Sequence, residues 1–158
     1  MAVAITHMAL HVKDVQACVD FYSSYAGMHI IHERECGRSY EDSPESKSVG
    51  MCEATRIVWL SEPGQESQFI IVLIPGGRGH QQQLDDFSHL GFALENKAAV
   101  DKVAKLALEE GRLVWGVRED KYPAGYYCGV RDPDGNFIEF SYGQPLGPGA
   151  LELDIAEL

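Results

Sequence analysis

The chain has 158 residues, 45% of them hydrophobic and 23% charged, which suits one compact soluble unit rather than a disordered tail. A formal net charge of −11 excludes the basic surface that a nucleic-acid partner requires. No apolar run approaches the roughly 18 residues of a membrane span, and the start MAVAITHMALHVKD lacks the layout of a secretory signal, so a cytoplasmic protein is expected.

The first element, ITHMALHVKD at 5–14, alternates as a strand, with Met8, Leu10 and Val12 on one side and His7, Ala9 and His11 on the other. A helix pattern follows: Val15, Cys18, Val19 and Tyr22 fall at i, i+3, i+4, i+7, Asp14 stands at the N-cap and Gly27 at the C-terminal stop. Three strand candidates come next, MHIIHE, TRIVWL and QFIIVLI. The polar segment GRSYEDSPESKSVG, 37–50, interrupts them and reads as a surface loop, or else as a lid over a site. Cys18, Cys36, Cys52 and Cys128 share no metal-binding spacing and read as reduced thiols.

The second half repeats the first. FSHLGFALEN at 87–96 matches residues 5–14, so that His89 answers His7 and Asn96 answers Asp14. Val100, Val103, Ala104 and Ala107 then give a second helix that Gly111 ends, and RLVWGV, YYCGV and NFIEFSY give three more strands. The expected fold is α+β: two tandem βαβββ modules, repeat 1 at about 4–75 and repeat 2 at about 86–143, forming one domain over 1–158; if their sheets curve around a common space, they give a curved mixed sheet around a metal-binding cavity. Aligning QFIIVLI over NFIEFSY sets Ile71 on Glu139, or Val72 if the register slips by one. An acidic tail, 144–158, closes the chain and is a segment that could pack on a second subunit.

Glu139 is the conspicuous residue. It lies in an apolar strand, between Ile138 and Phe140, where a carboxylate is costly to bury without a partner. Its face also holds Phe137 and Ser141, while His7 and His89 lie on the faces turned away from their helices, each flanked by small residues. Two imidazoles and a carboxylate on one side of a divalent ion leave neighbouring coordination positions open to a chelating substrate. The expected metal ligands are therefore His7, His89 and Glu139, with His11 a substrate contact or supporting group and His29, His32 and His80 structural. Tyr126 and Tyr127 are candidate wall residues of the site.

ITHMALHVKDVQACVDFYSSYAGM, SHLGF and RDPDGNFIEF together resemble the vicinal oxygen chelate superfamily, the glyoxalase, bleomycin-resistance and extradiol dioxygenase group, over roughly residues 4–143. The resemblance implies a divalent metal (Fe, Mn, Ni or Zn) on the first-strand histidines and the last-strand Glu, a small-molecule substrate and a homodimer. It implies a metalloenzyme, either a glyoxalase-like lyase or isomerase or an extradiol-type dioxygenase, with Glu139 and Tyr127 as catalytic candidates. A bleomycin-resistance-like binding protein and a fosfomycin-type thiol transferase are the alternatives. Each named chemistry lacks one part: glyoxalase I proteins place a fourth ligand where this chain has Ile71 or Val72, extradiol enzymes a Tyr where it has Gly129, and the thiol transferases a hydroxyl or thiol where it has Ala9.

Overall fold

The structure, a computed structural model, describes residues 4–35 and 56–150. It divides into two compact units, Met1–His80 and Gln81–Leu158. The first contains β1 (His7–Val12), α1 (Val15–Ala26), β2 (His29–Glu35), β3 (Arg56–Ser61) and β4 (Ile70–Pro75); the second contains β5 (Leu90–Ala93), α2 (Lys97–Glu109), β6 (Leu113–Glu119), β7 (Tyr126–Arg131) and β8 (Phe137–Tyr142). Each unit is thus βαβββ, as the repeat predicts. The segment 37–50 and residues 151–158 of the tail lie outside the described residues.

The helices begin and end where their sequences dictate. Asp14 accepts from the Ala17 amide at 3.0 Å and Asn96 from the Ala99 amide at 2.9 Å, so each cap satisfies a donor that the first helical turn leaves unpaired. Gly27 takes a left-handed φ of 66° and Gly111 one of 69°, a conformation that costs a side-chain-bearing residue more.

Both sheets have the same order. In unit 1 it is β1-β4-β3-β2 and in unit 2 β5-β8-β7-β6, with the first strand parallel to the last and the other neighbours antiparallel. One helix covers one face of each sheet: α1 packs on β2, β3 and β4, and α2 on β6, β7 and β8. Val12, Cys18, Tyr22, Val58, Leu60, Ile71 and Leu73 make the first core, Val100, Ala107, Cys128, Val130, Ile138 and Phe140 the second. Full burial of such aliphatic and aromatic side chains contributes about 1.5–3 kcal/mol each. Met8 departs from expectation. It lies on the apolar side of β1 but stays 39% exposed, because α1 sits over the middle strands rather than over the edge strand that precedes it.

The ladders also correct the alignment of the last strands. Ala9 faces Val72 just as Gly91 faces Glu139, so Val72, not Ile71, occupies the place of Glu139. The apolar run QFIIVLI offers no polar landmark to fix its register, whereas pairing with β1 does. Among the described residues, no helix is long and apolar enough to cross a membrane.

Candidate metal centre

The DPDG turn aims β8. The Asp132 carboxylate accepts from the Asp134 amide at 2.9 Å and the Asn136 amide at 2.8 Å through Oδ1, and from the Asn136 side chain at 3.0 Å through Oδ2. Arg131 then donates to the Gly135 carbonyl at 3.1 Å. These bonds close the β7–β8 hairpin on itself and fix which residues of β8 face away from α2.

Glu139 is one of them, and it is 8% exposed. Its neighbours across the sheet are Gly91 on β5 and Gly129 on β7, so neither flanking strand puts a side chain beside the carboxylate. One oxygen is tethered: Gln144 Nε2 donates to Glu139 Oε1 at 2.9 Å and also to the Ala124 carbonyl at 3.2 Å. The other, Oε2, stands 3.5 Å from His89 Nε2.

His89 sits immediately before β5, and its Nδ1 lies 2.7 Å from the Phe87 carbonyl. A carbonyl only accepts, so Nδ1 bears the proton and a neutral ring turns a bare Nε2 lone pair toward Oε2. Two acceptors facing each other repel unless a proton or a cation lies between them. Two donors about 2.0–2.2 Å from a zinc-like ion, at a tetrahedral angle, stand about 3.3–3.6 Å apart. The pair therefore fits two adjacent positions of a divalent cation. The outer contacts fit as well, because metal-binding imidazoles commonly donate their other N–H to a carbonyl and metal-binding carboxylates are themselves hydrogen-bonded.

Trp115 walls the site on the β7 side. Its indole lies over Gly129, where an added Cβ would come within 2.0 Å of Cε2. It meets Phe137 edge-on, with ring centroids 5.5 Å apart, and His89 at 6.4 Å. Among the described residues, the indole Nε1 is the buried side-chain nitrogen or oxygen left without a hydrogen-bond partner.

Of the three residues expected to bind metal, His89 and Glu139 are brought together in unit 2. His7 belongs to unit 1, at the exposed start of β1, with Nδ1 3.0 Å from the Thr6 hydroxyl. Among the described residues, no group of three or more His, Cys, Asp or Glu side chains is close enough to hold a metal ion. Tyr127 shares the Glu139 face through its pairing with Ser141, and its hydroxyl donates to Asp120 at 2.6 Å. That hydrogen bond, with burial, raises its pKa above 10.0 and holds the phenol neutral.

Tyr126 is not a wall residue. It points to the opposite face and donates to Asp101 on α2 at 2.7 Å, as the alternation along β7 requires. His11 bonds the Pro75 carbonyl at 3.1 Å and so ties the end of β1 to β4. The sequence reading missed Gln144 and Gln82. Gln82 is buried, donates to the carbonyls of Asp86 and Ser88, and accepts from the Phe137 amide at 2.9 Å. It thereby joins the segment leading into His89 to the start of β8. Neither glutamine lies in a regular element, so no periodicity marks them.

The fold and the paired donors define a duplicated βαβββ protein with a candidate cation site on the face of its second sheet turned away from α2. The family model for the Glyoxalase/Bleomycin resistance protein/Dioxygenase superfamily matches residues 4–140, and the chain belongs to that superfamily. An uncharacterized protein of Pseudomonas aeruginosa is 49% identical over 155 residues, which cover 98% of this chain and 99% of the relative. A possible glyoxalase from Bacillus cereus superposes with a TM-score of 0.58 at 25% identity, over 89% of this chain and 99% of that one. A mutant fosfomycin resistance protein of Listeria monocytogenes, complexed with Mn(II) and 1S,2S-dihydroxypropylphosphonic acid, shares the fold at a TM-score of 0.61 and 18% identity, over 96% of this chain and 97% of that one.

Proposed function

We propose that this chain is a metal-dependent enzyme that binds a small substrate through two neighbouring oxygens on a divalent ion held by His7, His89 and Glu139. The observation that carries the reading is the His89–Glu139 pair, 3.5 Å apart, with the far nitrogen of the ring and the far oxygen of the carboxylate each anchored. His7 enters as the repeat equivalent of His89 and by family resemblance. The ion, when bound, supplies Lewis-acid stabilisation of negative charge on substrate oxygen. Glu139 acts as a ligand first, Gln144 keeps its second oxygen engaged, and Tyr127, on the same face, presents a hydroxyl whose proton is donated to Asp120. The three-ligand set matches that of extradiol-type dioxygenases, while a glyoxalase-like lyase or isomerase would have to work without the fourth ligand, and the metal distinguishes them: nickel or zinc for the glyoxalase-like reaction, iron or manganese with oxygen uptake for the dioxygenase. The Listeria protein that shares this fold is complexed with Mn(II) and 1S,2S-dihydroxypropylphosphonic acid, which supports the reading. We further propose a cytoplasmic homodimer.

Elemental analysis of protein purified without chelator tests the reading, alongside His7→Ala, His89→Ala and Glu139→Gln. Wild type is expected to carry a divalent metal and each variant to lose it with the circular dichroism unchanged. Wild-type metal content in His89→Ala and Glu139→Gln would overturn the centre. A metal-free wild type that binds an aromatic or cationic ligand tightly would support a sequestering protein instead.

A further inference from the structure

The two flanks of Glu139 are unequal. On β7, the space that Gly129 leaves is filled by the Trp115 indole; on β5, a Cβ added to Gly91 would meet nothing within 4 Å. By strand alternation the same face holds His89, just ahead of β5 and two residues before Gly91, and Ala93, two residues after it. The Ala93 end is closed, since a Cβ on Gly147 would come within 2.5 Å of the Ala93 Cβ. The open space beside the carboxylate therefore lies over Gly91, an exposed residue of the edge strand β5, with His89 at one end along the strand and the Gly147 turn at the other.

We propose that Gly91 is a specificity-determining residue: its missing side chain makes the slot in which the body of an oxygen-chelating substrate lies, and it limits that substrate to one with a narrow group next to its chelating oxygens. This inference rests on the metal-centre reading above. A Cβ at position 91 stands about 4.5–5.5 Å from that of its ladder partner, so even a methyl group there crowds a ligand seated beside Glu139. The glycine has no conformational reason to be there. Its backbone is outside the left-handed region and an added Cβ meets nothing within 4 Å among the described residues, so alanine is compatible with the fold, and valine is a residue that strands favour.

The test uses the zinc-loaded full chain and two chelators that present the same pair of oxygens, acetohydroxamate and benzohydroxamate, with Gly91→Ala, Gly91→Val and the control Gly116→Ala, which also has open space around it. Zinc affinity and melting temperature are expected to stay at wild-type values in all three. Gly91→Ala should weaken benzohydroxamate by roughly tenfold or more and acetohydroxamate much less, while Gly91→Val should weaken both and Gly116→Ala neither. Gly91→Val binding benzohydroxamate as tightly as wild type, with zinc in place, would overturn the proposal. So would zinc-loaded wild type that binds neither hydroxamate, or zinc lost from Gly91→Val alone, which would make Gly91 a packing residue. A wild type that fails to bind zinc defeats the metal centre itself and is read separately, from the zinc titration.

Discussion

The wall of the site gives the most direct test of the geometry. In Gly129→Ala the new methyl would fall 2.0 Å from Trp115 Cε2, 2.2 Å from Cδ2 and 2.4 Å from Cζ2. Carbon atoms rest at about 3.5–4.0 Å, so the indole must retreat by roughly 1.5 Å. The atoms in the way belong to a rigid ring rather than to the end of a flexible chain, and that ring is itself packed edge-on with Phe137 and His89. Overpacking of this kind costs typically 1–3 kcal/mol, and the rigidity of the ring favours the upper end, about 3 kcal/mol. For a chain of this size that corresponds to a fall in melting temperature of about 6–12 °C. Gly129 has no left-handed φ, so the loss reports the collision and not backbone strain. Urea denaturation of Gly129→Ala, Trp115→Ala and the double variant completes a double-mutant cycle. The double variant should be no less stable than Trp115→Ala, giving a coupling of about 3 kcal/mol. A single Gly129→Ala variant within about 0.5 kcal/mol of wild type, or additive losses, would refute the packing described.

Two further outcomes follow from buried polar groups. Gln82→Ala leaves the Phe137 amide and the carbonyls of Asp86 and Ser88 without their partner, so a loss of about 3 kcal/mol is expected in urea denaturation. Gln82→Glu keeps the acceptor for Phe137 but turns a buried carboxylate oxygen onto the Asp86 and Ser88 carbonyls, so at neutral pH it should be no more stable than Gln82→Ala; equal stability of all three proteins would show that the bonds contribute nothing. Burial, reinforced by Glu139 and Asp101, pushes the Cys128 thiol from 9.0 up to about 12. The native thiol keeps its proton where an unfolded chain releases it. Its contribution to stability is therefore complete below about pH 9 and is lost as pH rises toward 12. Denaturation of wild type and Cys128→Ala at pH 8 and pH 10 should show the steeper decline in wild type, and parallel declines would refute the assignment.

The sequence exposed the fold because each module announces itself locally. The caps at Asp14 and Asn96, the i, i+3, i+4 spacing that follows them and the alternating strands all depend on neighbours within a few residues. The pairing of His89 with Glu139 was legible too, since strand parity places both on the face away from α2. What surrounds them was not. Gln144 and Gln82 act from irregular segments through hydrogen bonds to partners such as Glu139 and Phe137, and Gly129 is explained only by a ring on the neighbouring strand. Tyr126 and Tyr127 are adjacent and chemically alike, and only the observed pleat assigns one to the helix and one to the site.

The matching registers show how one architecture becomes two different surfaces. Across unit 1 the row reads Ala9, Val72, Trp59, His32; across unit 2 the equivalent row reads Gly91, Glu139, Gly129, Trp115. The indole has changed strands. In unit 1 it stands next to Val72 and packs with His32 at a centroid distance of 5.0 Å, so the position equivalent to Glu139 is apolar and has an aromatic side chain beside it. In unit 2 the indole comes from the edge strand and lies over a glycine, while a second glycine replaces Ala9. Introducing a carboxylate into the sheet thus goes together with the removal of side chains on both its flanks. One glycine admits the wall, and the other leaves the open space. A buried charge without that clearance would have neither room for a counter-ion nor access for a ligand, which is why the duplicated scaffold places a candidate cation site on its second sheet and an apolar residue at the matching place on its first.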